Sequence, residues 1–434
     1  MAFNLQQIQR EILEQYQEDD GNIPWIIGFS GGKDSTMLLQ MVWYALRNDL
    51  AALRQRSIHI VCNNTLVENP KILRYTDGVL KKIEKAAAEQ SFPIYVHRTT
   101  PQLEDTFWIN LLGKGYPAPN NTFRWCTERL KINPTTEFIK KTISNVGQAI
   151  ILLGTRRDES SSRARSIENN KSYIEGNKLR KHPLPNAYVF APLTEVTTDE
   201  VWQYLLQVPS PWGAHNRELV TIYRNATGGD CPLVMDTTTP SCGNSRFGCW
   251  VCTVVKRDKS MEYLIDNGEE WMEPLVEFRD ILQEFRNDPS WREPQRRNLQ
   301  PGPGPYNEEK RAYLLELLLK AQKSIREHDP DLMLINYQEL VAIQVIWHRD
   351  SFFRFSVAEI YNKVYGTDLD ANDFDINSIM EKEILQEVCD SEQDVQLISQ
   401  LLEIQKTKYV MANNWGLQNE IETYLHNHIK KGVA

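Results

Sequence analysis

The sequence predicts an α/β fold, a doubly wound parallel sheet, together with a C-terminal helical domain. Short apolar runs alternate with helical segments through the first half of the chain, which is the pattern of βαβ units with parallel strands. A glycine-rich turn directly follows the first apolar run. The second half is dominated by helical periodicity. In sheets of this kind, ligands bind beyond the carboxyl ends of the strands.

The elements of the first half can be placed in order from their apolar patterns. Asn4 is a suitable cap for a first amphipathic helix. Strands are predicted at 25–29, 57–62, 94–97 and 149–153, and helices at 37–46, 71–89 and 135–143. Three of these strands lead into polar or glycine-containing segments, which begin at Ser30, Asn63 and Gly154. We therefore expect the three segments to meet at one edge of the sheet.

The chain is long enough for more than one domain. We predict an α/β domain at 1–215, a cysteine-rich segment at 216–256 and a helical region at 257–434. Helices of that region are predicted at 261–285, 308–326, 337–347, 357–364, 376–407 and 417–430. The prolines and glycines at 300–305 predict a rigid, exposed linker. We expect the helical region to serve packing, with docking of partner proteins or DNA as the alternative.

The composition is that of an ordinary globular protein with an acidic balance. Of its 434 residues, 58 are acidic and 49 are lysine or arginine, so the net charge is -9. Contact with a nucleic acid therefore requires a local basic patch or a basic partner. We find neither a long apolar run nor a signal-peptide pattern, and expect a cytoplasmic protein without a membrane contact. Seven cysteines in such a chain favour metal or thiol chemistry over structural disulfides.

A phosphate-binding turn is predicted between the first strand and the next helix, at Ser30-Gly31-Gly32-Lys33-Asp34-Ser35. Gly31 and Gly32 allow positive φ and close approach of a ligand, and the free N–H groups of a helix start favour an anion. Lys33 adds a positive charge for phosphate. The spacing fits neither the Walker loop nor the dinucleotide motif. A turn of this composition that binds no ligand is the alternative.

The segment after the fourth strand is rich in positive charge. Residues 154–181 carry eight basic side chains against four acidic ones, a net of +4. Arg156 and Arg157 come soon after the strand, and a guanidinium can donate two parallel hydrogen bonds to phosphate or sulfate oxygens. We expect both side chains to contact a phosphate group. The alternative is a solvated charged loop.

Cys126 stands apart in a basic context, and four further cysteines lie within one loop-rich stretch: Cys231, Cys242, Cys249 and Cys252. The last two form a Cys-x-x-Cys pair, which brings two thiolates to one metal from a tight turn. Zinc and iron–sulfur centres both accept four cysteines, so spacing alone does not distinguish them. The isolated Cys62 is expected to be a small buried apolar residue.

Several of these motifs together resemble the PAPS/APS reductase family of ATP-pyrophosphatase-like proteins. The motifs are the turn at 30–35, the Gly154-Thr155-Arg156 segment, the later Ala191-Pro192-Leu193, and Cys126 in a basic context. A narrower resemblance rests on Cys231-Pro232, Ser241-Cys242-Gly243 and Cys249-Trp250-Val251-Cys252. This run is similar to that of the DndC family, the sulfurtransferases of DNA phosphorothioate modification. The broader pattern covers roughly residues 1–260.

The resemblance implies a PP-loop ATP pyrophosphatase fold and a role for each residue of the turn. Residues Ser30 to Ser35 would hold the phosphates of ATP, with Lys33 offsetting their charge. Asp34 would orient Mg²⁺ or the turn itself. Arg156 and Arg157 would contact the DNA phosphate or the AMP moiety.

The resemblance also implies a [4Fe-4S] cluster. Its surest ligands are Cys126, Cys249 and Cys252. Cys231 is favoured as the fourth ligand because the following proline stiffens its backbone. Cys242 is then the candidate sulfur carrier, and the last two roles can be exchanged.

The implied reaction is DNA phosphorothioation. ATP would activate a backbone phosphate with loss of pyrophosphate, and sulfur from a persulfide would replace a non-bridging oxygen. A cysteine desulfurase would supply the sulfur. Other phosphorothioation proteins would be partners, and DNA would be engaged through a complex with them.

Three other functions remain open from the sequence. A PAPS reductase is disfavoured, because that family delivers a nucleophilic cysteine from a C-terminal tail and no cysteine follows Cys389. A tRNA thiolase shares the chemistry of the turn, but those enzymes lack the run from Cys242 to Cys252. The third is a non-catalytic nucleotide-binding iron–sulfur scaffold, which would not release pyrophosphate from ATP.

Overall fold

The computed structural model describes residues 4–18, 22–47, 56–169, 178–226, 248–297, 300–349 and 354–369, together with 394, 397, 398 and 401. The chain divides into two compact units. The first contains residues 1–100 and 125–270. The second contains residues 101–124 and 271–434.

A six-stranded sheet forms the centre of the first unit. Its strands are β1 (Trp25–Gly28), β2 (Ile58–Asn63), β3 (Ile94–Thr99), β4 (Ala149–Leu152), β5 (Arg180–Lys181) and β6 (Ala187–Phe190). Their order is β3-β2-β1-β4-β6-β5, and every pair is parallel except β5 with β6. The order reverses between β1 and β4, and the carboxyl ends of the parallel strands share one edge. This is the edge where doubly wound sheets bind ligands.

Helices accompany the sheet in the described part of the first unit. They are α1 (Leu5–Gln17), α2 (Lys33–Arg47), α3 (Pro70–Glu89), α4 (Trp125–Thr127), α5 (Asn133–Val146), α6 (Ser161–Asn169), α7 (Thr198–Gln207), α8 (Asn216–Ala226) and α9 (Lys259–Asp266). Alternate residues of β1 enter different hydrophobic clusters. Trp25 and Ile27 pack with apolar residues of α1, α2 and α3, whereas Ile26 packs with Ile139 of α5. The predicted α/β fold with a doubly wound, mostly parallel sheet is therefore confirmed.

The second unit combines C-terminal helices with residues 101–124. Its helices are α10 (Glu273–Phe285), α11 (Glu308–His328), α12 (Tyr337–Arg349) and α13 (Val357–Tyr365). The indole N–H of Trp108 donates to the carbonyl of Leu334 at 2.5 Å. The buried guanidinium of Arg311 donates to the carbonyls of Leu112 and Gly113. The segment 101–124 is therefore anchored in this unit through Trp108, Leu112 and Gly113.

The division into units differs from the ranges predicted from the sequence. The sequence predicts residues 101–124 in the α/β domain and residues 257–270 in the helical region, but each segment groups with the other unit. The physical reason is long-range packing. Trp108, for example, finds its hydrogen-bond acceptor 226 positions away, at Leu334.

The segment at 300–305, predicted as a rigid, exposed linker, contains exposed residues but folds back on residues 293–296. The N–H of Gly304 donates to the carbonyl of Glu293 at 2.8 Å, and the N–H of Gly302 donates to that of Pro294 at 3.1 Å. Gly304 is buried, and a Cβ at this position would collide with the carbonyl of Gln295. Because glycine permits this close backbone approach, the segment folds back on the preceding strand-like residues instead of extending as a spacer.

The other helices predicted for the second half have mixed outcomes. The predictions at 308–326, 337–347 and 357–364 correspond to α11, α12 and α13. The predicted helix at 261–285 is interrupted, because α9 ends at Asp266 and Gly268 adopts a φ of +102°. The prediction at 417–430 and most of the one at 376–407 lie outside the described residues. In the part of the chain that the structure describes, no helix is long and apolar enough to span a membrane.

Candidate functional site

The predicted phosphate-binding turn connects β1 to α2, which begins at Lys33. Gly31 has a φ of +73°, in the left-handed region that favours glycine. A Cβ at Gly31 would lie 2.7 Å from Oγ1 of Thr76 in α3, so a steric clash disfavours a larger residue in addition to the positive φ. Gly154, just after β4, approaches the same turn, since a Cβ there would lie 2.8 Å from the carbonyl oxygen of Asp34. The ends of β1 and β4 therefore converge, as predicted.

Two serines stabilise the turn from within. The hydroxyl of Ser35 donates to the carbonyl of Gly32 at 3.1 Å. The same oxygen accepts the backbone N–H of Ser30 at 3.3 Å. The hydroxyls of Ser30 and Ser35 are also 3.3 Å apart. The turn is thus preorganised at the start of a helix, where N–H groups favour an anion.

Asp34 links two cations at the start of α2. Its Oδ2 lies 3.0 Å from Nζ of Lys33, and its Oδ1 accepts a hydrogen bond from Nε of Arg156 at 2.6 Å. The Arg156 side chain is fully buried, so its remaining N–H groups need partners. They donate to the carbonyl of Val196 at 3.1 Å and to Oγ1 of Thr198 at 3.3 Å. Arg156 therefore anchors the turn to the segment that enters α7.

Asp158 completes this network. Its Oδ2 accepts both the N–H and the hydroxyl of Thr198 at 2.7 Å, and lies 3.6 Å from Nη1 of Arg156. Burial opposes ionisation, but the hydrogen bonds from Thr198 and the charge of Arg156 lower the pKa of Asp158 below its usual range. The carboxylate is ionised at neutral pH and supports the guanidinium.

Arg157 lies at the surface, where two carboxylates bind it. Its Nε donates to Glu195 at 2.7 Å and its Nη1 donates to Glu168 at 2.9 Å. Both Arg156 and Arg157 were expected to contact a phosphate group. Arg156 supports the turn from inside the protein, and the contacts of Arg157 with Glu195 and Glu168 are to acidic side chains. A phosphate contact by either arginine remains a prediction.

Tyr223 of α8 is a residue of this site that the sequence did not indicate. Its hydroxyl oxygen accepts the backbone N–H of Lys33 at 3.2 Å. The Lys33 ammonium lies 5.3 Å from the centre of the Tyr223 ring, within range of a cation–π contact. The ring is buried and packs edge-on against Trp202 of α7 at 4.9 Å. No local pattern around Tyr223 signals this role, because the contact spans 190 positions.

A cavity of about 260 Å³ lies at the carboxyl ends of β1 and β2. Residues from several elements line it, among them Ser30, Cys62, Asn63, Glu68, Thr76, Arg98 and Lys131. Cys62 is buried, as predicted, and burial raises the pKa of its thiol to about 11. Since Ser30 belongs to the phosphate-binding turn, the turn and the loop after β2 share one cavity wall.

The Cys-x-x-Cys pair is held against the loop that follows β2. Glu68 forms an isolated antiparallel bridge with Cys249. The N–H of Trp250 donates to the carbonyl of Val67 at 3.0 Å. The N–H of Cys252 donates to the carbonyl of Cys249 at 3.0 Å, which closes the tight turn that carries both thiols. The predicted turn geometry of the pair is thus present.

The thiol environment connects three of the predicted cysteine ligands. Burial raises the pKa of Cys249 to about 12, with Glu68 acting in the same direction and Lys131 opposing it. Burial also raises the pKa of Cys126, and interaction with Cys252 adds to this effect. The pKa of Lys131 is raised in turn, chiefly by Cys249. Cys126 therefore interacts electrostatically with the Cys-x-x-Cys pair, although it is remote from it in sequence.

The described residues do not by themselves form a metal site. Within the ranges the structure describes, no group of three or more His, Cys, Asp or Glu could hold a metal ion. This gives no support to the predicted Mg²⁺. Cys231 and Cys242, the other two predicted cysteines, lie outside the described residues. The donor chemistry of Cys126, Cys249 and Cys252 nevertheless fits a thiolate-bound centre that takes a further ligand.

Comparison with known proteins identifies the family. The phosphoadenosine phosphosulfate reductase domain matches residues 24–255, which is more than half of the chain. The chain belongs to this family. The matched range contains the phosphate-binding turn, the Arg156 network and the Cys-x-x-Cys pair of this family member. The broader of the two resemblances seen in the sequence is thereby confirmed.

Individual relatives are more distant. An uncharacterized protein of Methanocaldococcus jannaschii is 28% identical over 189 residues, 44% of this chain, and the alignment spans only 32% of that relative's length. The PAPS reductase of Candida auris, in a phosphate complex, shares 10% identity, with 51% of this chain and 94% of that chain covered and a TM-score of 0.29. The U34-tRNA thiolase NcsA of Methanococcus maripaludis, with its [4Fe-4S] cluster, shares 15% identity. The match covers 65% of this chain and 80% of that chain, with a TM-score of 0.29.

Proposed function

We propose that this chain is a sulfurtransferase with ATP pyrophosphatase activity that acts in DNA phosphorothioate modification, as the DndC family does. One observation carries the proposal. Ser30 of the phosphate-binding turn and Glu68, the bridge partner of Cys249, line the same cavity. A reaction that couples phosphate activation to sulfur delivery needs a nucleotide and a thiol centre around a common space.

The chemistry explains why both parts are needed. A phosphodiester oxygen is a poor leaving group and has to be activated before sulfur can displace it. Attack of a non-bridging DNA oxygen on the α-phosphorus of ATP releases pyrophosphate and makes that oxygen part of an AMP leaving group. A persulfide sulfur then attacks the DNA phosphorus, and AMP departs with the oxygen. The transferred sulfur is still joined to its carrier by an S–S bond. A thiol attacks the carrier sulfur, supplies two electrons by forming a disulfide with it, and leaves the other sulfur on DNA as a phosphorothioate.

The residues around the turn have distinct roles in the first step. The N–H groups at the start of α2 and the Lys33 ammonium stabilise the charge that develops on the departing pyrophosphate. Asp34 orients Lys33 through their ion pair of 3.0 Å. Arg156 is a positioning residue, because it touches Asp34 and the protein backbone but is fully buried. Arg157 remains a candidate for contact with the DNA phosphate or AMP.

The second step is assigned to the cysteines. Cys126, Cys249 and Cys252 would hold an iron–sulfur cluster together with Cys231 or Cys242, and the remaining cysteine would carry the sulfur. A [4Fe-4S] cluster bound there would supply an iron to which a sulfur atom can coordinate. A cysteine desulfurase is the proposed sulfur donor. The net charge of -9 supports engagement of DNA in a complex with other phosphorothioation proteins.

Pyrophosphate release from ATP tests the proposal. With the partner phosphorothioation proteins present, we expect DNA to stimulate release by the purified chain more than an equal mass of tRNA does. Lys33→Ala should abolish release, whereas Lys140→Ala, an exposed lysine on α5, should retain it. Stimulation by tRNA alone would favour the thiolase alternative. The absence of any ATP-dependent release by the wild-type protein would favour the scaffold alternative.

A further inference from the structure

Aromatic and basic side chains lie together on the second unit, with Phe123, Arg124 and Arg297 exposed and Tyr116 half-buried. Phe123 is 44% exposed although it is large and apolar. Its ring lies 6.3 Å from that of Tyr116, and the Arg297 guanidinium lies 5.0 Å from the centre of the Tyr116 ring. Arg124, next along the chain, is also exposed. We call Arg297, Tyr116, Phe123 and Arg124 the basic-aromatic row.

A hydrogen-bonded turn holds Phe123 in its exposed position. The side-chain oxygen of Asn120 accepts the backbone N–H of Thr122 at 2.9 Å and that of Phe123 at 2.8 Å. The N–H of Asn120 donates back to the carbonyl of Phe123 at 3.2 Å. Asparagine stabilises such turns by bonding the backbone two residues ahead. The ring is therefore presented by a preorganised turn, which lowers the entropic cost of binding a ligand.

The described contacts of the two arginines in the row are to neutral oxygen atoms. Arg124 donates to the side-chain amide oxygen of Asn121 at 3.2 Å, and Arg297 donates to the carbonyl of Lys114. Among the residues that the structure describes, neither guanidinium forms an ion pair with a carboxylate. Arg296 beside Arg297 is exposed as well. In a chain of net charge -9, this is a local basic patch of the kind that nucleic-acid contact requires.

We propose that the basic-aromatic row docks single-stranded DNA. Its guanidinium groups complement the phosphates, and the Phe123 ring offers a stacking face to an unpaired base. Aromatic rings interleaved with basic side chains are how proteins bind single strands without reading their sequence. Bases inside a duplex are stacked on each other and do not reach such a ring. Only the choice of DNA over RNA rests on the proposed function.

Fluorescence anisotropy with a labelled oligodeoxynucleotide and the purified full chain tests this docking without ATP or sulfur transfer. Phe123→Ala should weaken binding roughly ten- to hundredfold, the usual effect of losing one stacked base. Arg124→Ala combined with Arg297→Ala should lower the slope of log affinity against log salt by about 1.4, because each phosphate contact on a single strand contributes about 0.7. Tyr337→Ala and Arg354→Ala are matched controls on the same unit and should bind like the wild type. Tyr337 is 53% exposed, and the side chain of Arg354 is 71% exposed.

Three results would overturn the proposal: undiminished binding by Phe123→Ala, no binding by the wild-type chain, or equal losses in the control variants. Tighter binding of an RNA of the same sequence would reject DNA as the occupant, and tighter binding of the duplex would reject the single strand. Failure of the proposed function is observed separately. The row would then bind DNA as described while DNA failed to stimulate pyrophosphate release.

Discussion

Nε of Arg156 donates to Oδ1 of Asp34 at 2.6 Å, across 122 positions of sequence. The contact connects the segment after β4 to the first turn of α2. Asp34 in turn binds the Lys33 ammonium, so a side chain without solvent access holds the carboxylate that positions this ammonium. The geometry of the phosphate-binding turn therefore depends on the packing of the sheet edge as well as on the glycines.

Arg156→Lys should impair the chain although charge is conserved, because one ammonium cannot reach Asp34, Val196 and Thr198 together. We expect pyrophosphate release to fall at least about tenfold and the free energy of unfolding to fall by about 2 kcal/mol. Arg354→Lys is the matched control, since its side chain is 71% exposed and pairs with Glu309, and exposed ion pairs contribute little. Pyrophosphate assays and urea unfolding of both variants measure the difference. Equal effects of the two substitutions would contradict the role given to Arg156.

Gly31→Ala should weaken ATP binding, because alanine disfavours a φ of +73° and its Cβ would meet Thr76. We expect a loss of stability of about 1–2 kcal/mol. Gly78→Ala in α3 is the matched control, since a Cβ there meets nothing within 4 Å. It should stabilise the helix by about 1 kcal/mol. Thermal unfolding and calorimetric titration with ATP check both variants, and unchanged ATP affinity in Gly31→Ala would speak against the assigned turn.

Glu339 makes the stability of the second unit depend on pH. Burial raises the pKa of this carboxyl to about 7 from an ordinary value of 4.5, against the opposing hydrogen bond from the backbone N–H of Asn336. The folded state therefore holds the proton more tightly than the unfolded state. The stabilisation that comes from this bound proton is complete below about pH 4.5 and is lost as the pH rises through about 7.

Glu339→Gln removes this titration. The glutamine that it introduces at the third helical position can still accept the backbone N–H of Asn336. Relative to this variant, the unfolding free energy of the wild type should fall by about 2–3 kcal/mol between about pH 5 and pH 8. Chemical denaturation across this pH range measures the difference. Parallel pH profiles for the two proteins would show that Glu339 is not protonated in the folded state.

The fold could be predicted largely from sequence, but much of the site could not. The strands are visible because buried parallel strands are short apolar runs, and the turn is visible because its glycines and charges are contiguous. The burial of Arg156 and the exposure of Arg157 leave no trace in a local window. The contact of Tyr223 with Lys33 and the packing of residues 101–124 arise from residues distant in sequence, which only the folded chain brings together.

Cys126, Cys249 and Cys252 should bind an iron–sulfur cluster. Anaerobically purified wild-type protein is expected to be brown, with the broad visible absorbance of sulfur-to-iron charge transfer. Cys126→Ser, Cys249→Ser and Cys252→Ser should each remove the colour. Cys62→Ser is the control, because this buried cysteine of the cavity wall is not assigned as a ligand. Colourless wild-type protein that contains stoichiometric zinc would contradict the cluster and indicate a structural zinc site in its place.

Mass spectrometry of nuclease-digested DNA tests the central claim most directly. DNA would be isolated from cells that produce this chain together with a cysteine desulfurase and the partner phosphorothioation proteins. We predict phosphorothioate-linked dinucleotides in cells with the wild-type chain, and none in cells with Lys33→Ala or Asp34→Ala variants produced at the same level. DNA without phosphorothioates in the wild-type cells, accompanied by thiolated nucleosides in their tRNA, would contradict the assignment of DNA as the substrate.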